Sequence, residues 1–289
     1  MTELDAHALR KQLDVDFELD KREEGDWNTF DLGDYVVENI GKKPKGLILD
    51  NTKAISKVYT AVFPSEKVLR RILDSNERDI LLFTHHPMIW DPSPDRKPFI
   101  NIPHELLGPL KEQRVSYYAI HIPLDAVGPY STGVSFAKAL GVPSERYFFE
   151  YGGVEVGVVG TIDLTRLSEF AERVRKAVGH EVKVWNYGSD VIKDSRVAVV
   201  GGGGGEPEIA SDIADMGVNT FVTGITRIIE TYPPSAQFHE VCKDNEINAI
   251  GTTHYSSEKF ACIAMVDYFE KLGVSAEFIE DEPLLSDME

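Results

Sequence analysis

The sequence predicts an α/β protein built from two α/β domains, and three observations predict it. Short β-rich apolar runs, such as Ile80 to Phe83, alternate along the chain with stretches whose apolar residues recur at helical spacing. After Gly152-Gly153, the segment Val154 to Gly160 restarts the pattern with period-two alternation. Strand-like runs also end in residues suited to chemistry: His85-His86, His121 and His254 each follow one. Open α/β sheets bind their ligands at that carboxyl end.

Taken in order, the opening segment to about Leu19 has helical apolar spacing, and Asp20 to Trp27 reads as a charged connector. Leu47-Ile48-Leu49 and Val58 to Val62 are short strands. Pro64-Ser65-Glu66 starts a helix with apolar positions Val68, Leu69, Ile72 and Leu73. Asp79 to Thr84 reads as a buried strand that delivers His85 and His86 and is stopped by Pro87. Ser116 to Ile120 is a strand running into His121-Ile122-Pro123-Leu124-Asp125, where the proline excludes a regular helix between His121 and Asp125. Gly133 to Leu140 reads as a helix closed by Gly141. Beyond the alternating strand come a helix from Leu167 to Ala177 and strands at Val182 to Trp185 and Arg196 to Val200. Asn248-Ala249-Ile250 leads into Gly251-Thr252-Thr253-His254 and a helix running to about Lys271, with Thr253, Ser256 or Ser257 as its cap. These elements divide into residues 1–151 with 246–289, a discontinuous metal-binding α/β domain, and residues 152–245, a second α/β domain. The last helix returns to the first domain because its ligands have to meet those at 85–125.

Those ligands are the main functional signal. His254 and Glu258 are four apart, so a helix puts them on one side, one turn apart, and a carboxylate in a first turn stays ionised beside the helix dipole. With His85, His86 and Asp125 they offer five nitrogen and oxygen ligands, with His121 nearby and no cysteine among them. A single structural zinc takes four ligands, usually with thiolates; five including a carboxylate able to bridge suit two metals with open positions. Zinc, iron, manganese and cobalt all fit this set. The bland alternative makes His254 and Glu258 a surface pair and the two adjacent histidines a strand terminus. His104 and His180 sit in polar, turn-like contexts and are not expected to bind.

Composition bounds the rest. The chain has 289 residues, 42% of them hydrophobic, enough for one large core or two modest ones. No apolar run approaches a membrane span, and Met1-Thr2-Glu3-Leu4-Asp5 lacks the basic start of a signal peptide. Cys242 and Cys262 form no pairing motif, and Cys262 falls in the apolar pattern of the last helix; a cytoplasmic location is expected. A net charge of −18 without a basic stripe disfavours nucleic-acid partners. Residues 277–289 hold six acids and no base and read as a frayed tail.

Five glycines, Gly201 to Gly205, follow a strand and precede Glu206-Pro207-Glu208-Ile209, the start of a helix. A dinucleotide site is a weak reading, because Glu206 stands where the fingerprint wants glycine or alanine and would repel a pyrophosphate. No Walker lysine follows, which excludes a P-loop. Two readings stay open: backbone packed closely against a neighbour, or one wall of a substrate pocket facing the metals.

The motifs Thr84-His85-His86-Pro87, His121-Ile122-Pro123-Leu124-Asp125, Gly201 to Gly205, Thr223-Gly224 and His254-Tyr255-Ser256-Ser257-Glu258 resemble, in order and spacing, the Nif-three-like proteins. These are NGG-interacting-factor-three-like proteins, described as dinuclear metal proteins and homologues of a type-two GTP cyclohydrolase. The resemblance covers about residues 35 to 275. It implies that His85, His86, Asp125, His254 and Glu258 bind two divalent transition-metal ions near an interdomain cleft, with Asp125 bridging and His121 lining the site. It also implies a closed homo-oligomeric ring, typically a hexamer. The chain departs from the family at Ile225-Thr226-Arg227, where a histidine is common, and in the acidic opening before the first strand.

Three functions follow as expectations. A dinuclear-metal hydrolase of a small molecule, with His121 shuttling the proton, comes first. A metal-binding regulatory or interaction protein without turnover comes second. A nucleic-acid-binding factor is disfavoured by charge.

Overall fold

The computed structural model of the chain describes residues 4–38, 40–93 and 98–289; Met1-Thr2-Glu3, part of the start read as lacking a signal peptide, lie outside them. In chain order the strands of the two main sheets are β1 (Gly46–Leu49), β2 (Lys57–Ala61), β3 (Ile80–Thr84), β4 (Val115–Ala119), β5 (Arg146–Tyr151), β6 (Val154–Thr161), β7 (Lys183–Trp185), β8 (Arg196–Val199), β9 (Thr220–Thr223), β10 (Asn248–Gly251) and β11 (Ser275–Phe278). The helices are α1 (Ala6–Asp16), α2 (Glu66–Asp74), α3 (His104–Glu112), α4 (Ile122–Asp125), α5 (Thr132–Ala139), α6 (Leu167–Val178), α7 (Pro207–Asp215), α8 (Pro233–Asp244) and α9 (His254–Lys271). The α/β class is therefore as expected. The chain divides into two compact units, residues 1–124 with 262–281 and residues 125–261 with 282–289.

In the first unit the sheet order is β11-β2-β3-β4-β1, parallel except where β1 meets β4. Every residue of β3 and β4 is buried, which is why both read as unbroken apolar runs rather than alternating ones. The crossover helices are built for such a sheet. Ser65 caps α2 by accepting from the Val68 N–H at 3.2 Å, a contribution of about 1 kcal/mol. Val68, Leu69 and Ile72 then turn into the core with Leu106, Leu107 and Leu110 of α3. Each such buried side chain contributes roughly 1.5–3 kcal/mol. Parallel β2, β3 and β4 all point their carboxyl ends one way, so His85 and His121 emerge at the same end of the sheet.

In the second unit the order is β7-β10-β9-β8-β6-β5, with β8, β9 and β10 parallel and the outer pairs antiparallel. Helices α7 and α8 connect the parallel strands. The Gly201–Gly205 loop, Thr223-Gly224 and Thr252-Thr253 thus leave the carboxyl ends of three neighbouring strands.

Several expectations need correction. The compact units do not divide at 151/152 and 245/246. Gly152 and Gly153, both at positive φ, form the tight turn of the hairpin joining β5 to β6, and β10 pairs with β9 in the same sheet, so neither position is a domain edge. Pro123 does not prevent a helical turn: α4 spans it, because a proline in the first turn gives up an N–H that has no acceptor there. His104 opens α3 instead of lying in a turn. The acidic C-terminal stretch is not frayed: β11 extends the first sheet and Asp287 is 1% exposed. Strands β5, β9 and β11 and helices α3 and α8 went unread in the sequence.

Candidate metal centre

In the first unit β3 ends at Thr84, and the backbone N–H groups of His85 and His86 still donate to the β2 edge, to Ala61 O at 3.3 Å and Val62 O at 3.0 Å. Both histidines are therefore fixed by strand pairing and buried. Below them the Thr84 Oγ1 and Tyr117 hydroxyls both donate to His86 O, at 2.6 and 3.0 Å, and burial pushes the Tyr117 phenol far above its ordinary range, so it stays a neutral donor. The His86 ring lies between Phe63 and Phe99, stacked at 4.6 and 5.4 Å. His121 closes the group. Ring centroids lie 4.4 Å apart for His85 and His86, 4.9 Å for His85 and His121, and 4.8 Å for His86 and His121. One ring nitrogen from each of the three falls within 4.8 Å of the others.

The protonation pattern of one ring follows from its partner. His85 Nδ1 is 3.1 Å from Ile120 O. A carbonyl can only accept, so Nδ1 carries the proton and Nε2 presents a lone pair. Imidazoles that bind metal are commonly oriented in this way.

In the second unit His254 opens α9 and Glu258 follows one turn later, with His254 Nε2 3.3 Å from Glu258 Oε1 and both side chains buried. Thr253 is the cap, its Oγ1 accepting from Ser256 N at 3.0 Å, which selects one of the three residues expected to do so. A second acceptor comes from the C-terminal stretch: Asp287 Oδ2 accepts from His254 N at 3.0 Å. Asp125, 8% exposed, accepts from Thr132 Oγ1 at 2.6 Å.

The glycine loop belongs to this half. At Gly202, φ is +66°, and a Cβ would stand 2.2 Å from Glu258 Oε1; its N–H donates to Ser257 Oγ at 2.8 Å. At Gly224 a Cβ would meet Gly202 O at 2.4 Å and Ser257 Oγ at 2.6 Å. Gly201 lies against both Thr132 and Glu258. Close packing accounts for Gly202 against the first turn of α9 and for Gly204 and Gly205 against Thr223 and Ile225, whereas a Cβ at Gly203 would meet nothing within 4 Å, so the pocket-wall reading stays open there.

The structure thus brings His85, His86 and His121 together in one unit, and His254 and Glu258 together in the other with Asp125 one hydrogen bond from Thr132. The donors are imidazole and carboxylate without thiolate, all are buried except the half-buried His121, and one ring is oriented from behind; such clusters can hold divalent transition metals. His180, expected to stand apart, binds Ser256 Oγ through Nε2 at 2.7 Å and so supports the α9 turn. Two residues were missed, Glu24 and Asp287. Each sits in an acid-rich stretch with no local signal to single it out.

The chain is similar to known proteins in sequence and in fold. The model of the Duf34/NIF3 (NGG1p interacting factor 3) family matches residues 39–283. A Borreliella burgdorferi protein named GTP cyclohydrolase 1 type 2 homolog is 28% identical over 245 residues, covering 83% of this chain and 88% of that protein. A Deinococcus radiodurans protein of the same name is 29% identical over 255 residues, covering 86% and 89%. A solved structure from Thermus thermophilus superposes with a TM-score of 0.69 at 22% identity, covering 98% of this chain and all of that one, a likeness of fold.

Proposed function

Because the chain belongs to the Duf34/NIF3 family, we propose that it is a metal-dependent hydrolase of a small molecule. Its metal ligands are His85, His86, Asp125, His254 and Glu258, and they hold two divalent ions, zinc, iron, manganese or cobalt. The observation that carries this reading is the group of three imidazoles, two of them buried and the third half-buried, each with a nitrogen within 4.8 Å of the others'. Packing three such groups together out of water is costly unless something draws on their lone pairs. The names of the Borreliella and Deinococcus relatives favour a substrate of the nucleotide class. The charge of −18 favours a small substrate over a nucleic acid.

The bound ions supply Lewis-acid charge that polarises the bond under attack and acidifies water. The remaining work falls to side chains of this chain. His121, the most exposed of the three clustered histidines, moves the proton between water and leaving group. Asp125 is held in one orientation by the Thr132 hydroxyl. The aromatic faces of Phe63 and Phe99 fix the His86 ring and keep water from its sides.

Elemental analysis of protein purified without chelator, followed by turnover of a small-molecule panel, tests the reading. Near two transition-metal equivalents per chain are expected, with activity abolished by chelation and in Asp125→Ala. Two equivalents bound with no turnover of any compound would identify instead a metal-binding protein that does not catalyse. A metal-free, folded and fully active protein would refute the metal reading.

A further inference from the structure

The segment between α1 and β1 carries one carboxylate into the first cluster. Glu24 is 4% exposed, whereas Glu23 and Asp26 on either side are solvated. Its oxygens have distinct tasks. Oε1 accepts from Gly25 N at 2.8 Å and from Trp27 Nε1 at 3.4 Å, and lies 3.4 Å from His121 Nδ1. Oε2 accepts from His121 N at 3.3 Å. A single buried carboxylate thus accepts from the backbone N–H of one histidine and stands at ion-pair distance from the Nδ1 of its ring. Trp27 completes the arrangement, its indole edge-on to the His121 ring at 5.2 Å and to the His86 ring at 5.9 Å.

Burying a carboxylate costs several kcal/mol unless its charge is met by donors. Burial therefore works against the Glu24 charge, but the donors from His121, Gly25 and Trp27 outweigh it and hold the carboxyl below its ordinary value. An ionised carboxylate only accepts hydrogen bonds, so the imidazole nitrogen that faces it carries the proton.

We propose that Glu24 is the positioning residue for His121: it fixes the Nδ1–H tautomer and aims Nε2, with its lone pair, at the work of the site. The same tautomer follows for His85 from its contact with Ile120 O, so two of the three clustered imidazoles are set from behind in the same sense. The consequence for proton transfer rests on the proposed function above; the tautomer itself does not.

The test uses the full chain with 15N-labelled histidine, the His121 signals being assigned by their absence in His121→Gln. Long-range proton–nitrogen correlations of the metal-free protein are expected to show His121 as the Nδ1–H tautomer. In Glu24→Gln, whose amide can donate to the ring, the population moves towards Nε2–H, and turnover of the metal-loaded protein falls while cobalt affinity read from the visible d–d bands changes little, because His121 is not among the ligands. Glu24→Asp, which keeps the carboxylate, recovers part of both. An Nε2–H tautomer in the wild-type chain overturns the inference without any variant. So does a Glu24→Gln protein with an unchanged tautomer. If the wild-type chain binds no cobalt, the metal reading fails, and Glu24 is judged on the tautomer alone.

Discussion

At Gly202 two constraints coincide. The backbone is left-handed, and the space a side chain would need is held by Glu258 Oε1. A left-handed conformation costs a side-chain-bearing residue roughly 1–2 kcal/mol. In Gly202→Ala the Cβ also has to push the carboxylate off its position, since the neighbour is a buried side chain in the first turn of a helix. Gly203 serves as the matched control, because a Cβ there meets nothing within 4 Å. Gly202→Ala is expected to unfold several degrees lower than Gly203→Ala and to bind cobalt more weakly, whereas Gly203→Ala behaves as wild type. Equal melting temperatures and equal cobalt affinities in the two variants would break the link between the glycine loop and Glu258. The contrast also separates close packing from a pocket wall, which Gly203 would line as readily as Gly202.

At the scale of elements, the N-terminus of α9 is the point where the second cluster is either ordered or lost. Its first N–H groups are met from two directions, by Thr253 just before the helix and by Asp287 from thirty-three residues downstream. Asp287 also ties down the loop after β9, its backbone carbonyl accepting from Thr226 N at 3.0 Å and Arg227 N at 3.1 Å. A carboxylate here acts both as a hydrogen-bond acceptor and as a negative charge at the positive end of the helix dipole. Asp287→Ala is expected to cost about 0.5–2 kcal/mol. Amide exchange should accelerate at His254, which loses its acceptor, more than at Thr226 and Arg227, whose acceptor is the retained backbone carbonyl, while leaving β3 unaffected. Unchanged exchange at His254 would show the C-terminal stretch to be ornamental to the helix. The sequence made part of this element legible and hid the rest, for a physical reason. His254 and Glu258 announce themselves because helical spacing is local, and His85-His86 because an apolar run stops at two imidazoles. Glu24 and Asp287 differ from the solvated acids beside them only in what folds over them, a non-local property that residue type and periodicity do not carry. The same limit explains the misplaced domain edges: Gly152-Gly153 has the composition of a linker, and only the pairing of β5 with β6 identifies it as a hairpin turn.

At the scale of the whole molecule, charge and apolar surface pull in opposite directions. Among the described residues no helix is long and apolar enough to cross a membrane. Yet Val15, Val191, Ile228, Leu285 and Ile263 stand 62%, 53%, 52%, 47% and 42% exposed. Scattered apolar residues of this kind are ordinary on a monomer and gain meaning only if copies cover them. The hexameric ring implied by the resemblance would cover some of them, but each copy brings a charge of −18 to the assembly. Like charges on neighbouring copies repel over a Debye length of about 30 Å at 0.01 M salt and about 8 Å at 0.15 M. Apolar contacts, in contrast, are strengthened slightly or left alone by salt. A ring is therefore expected to loosen at low ionic strength and to tighten as screening increases, the reverse of an assembly held by opposite charges. Light scattering of micromolar protein across a salt series checks both state and sign: a hexamer mass at moderate salt that falls towards smaller species on dilution of the salt. A monomer mass at every salt concentration would refute the ring. A hexamer that instead dissociates as salt rises would show that its contacts are ion pairs and that the exposed apolar residues lie outside them.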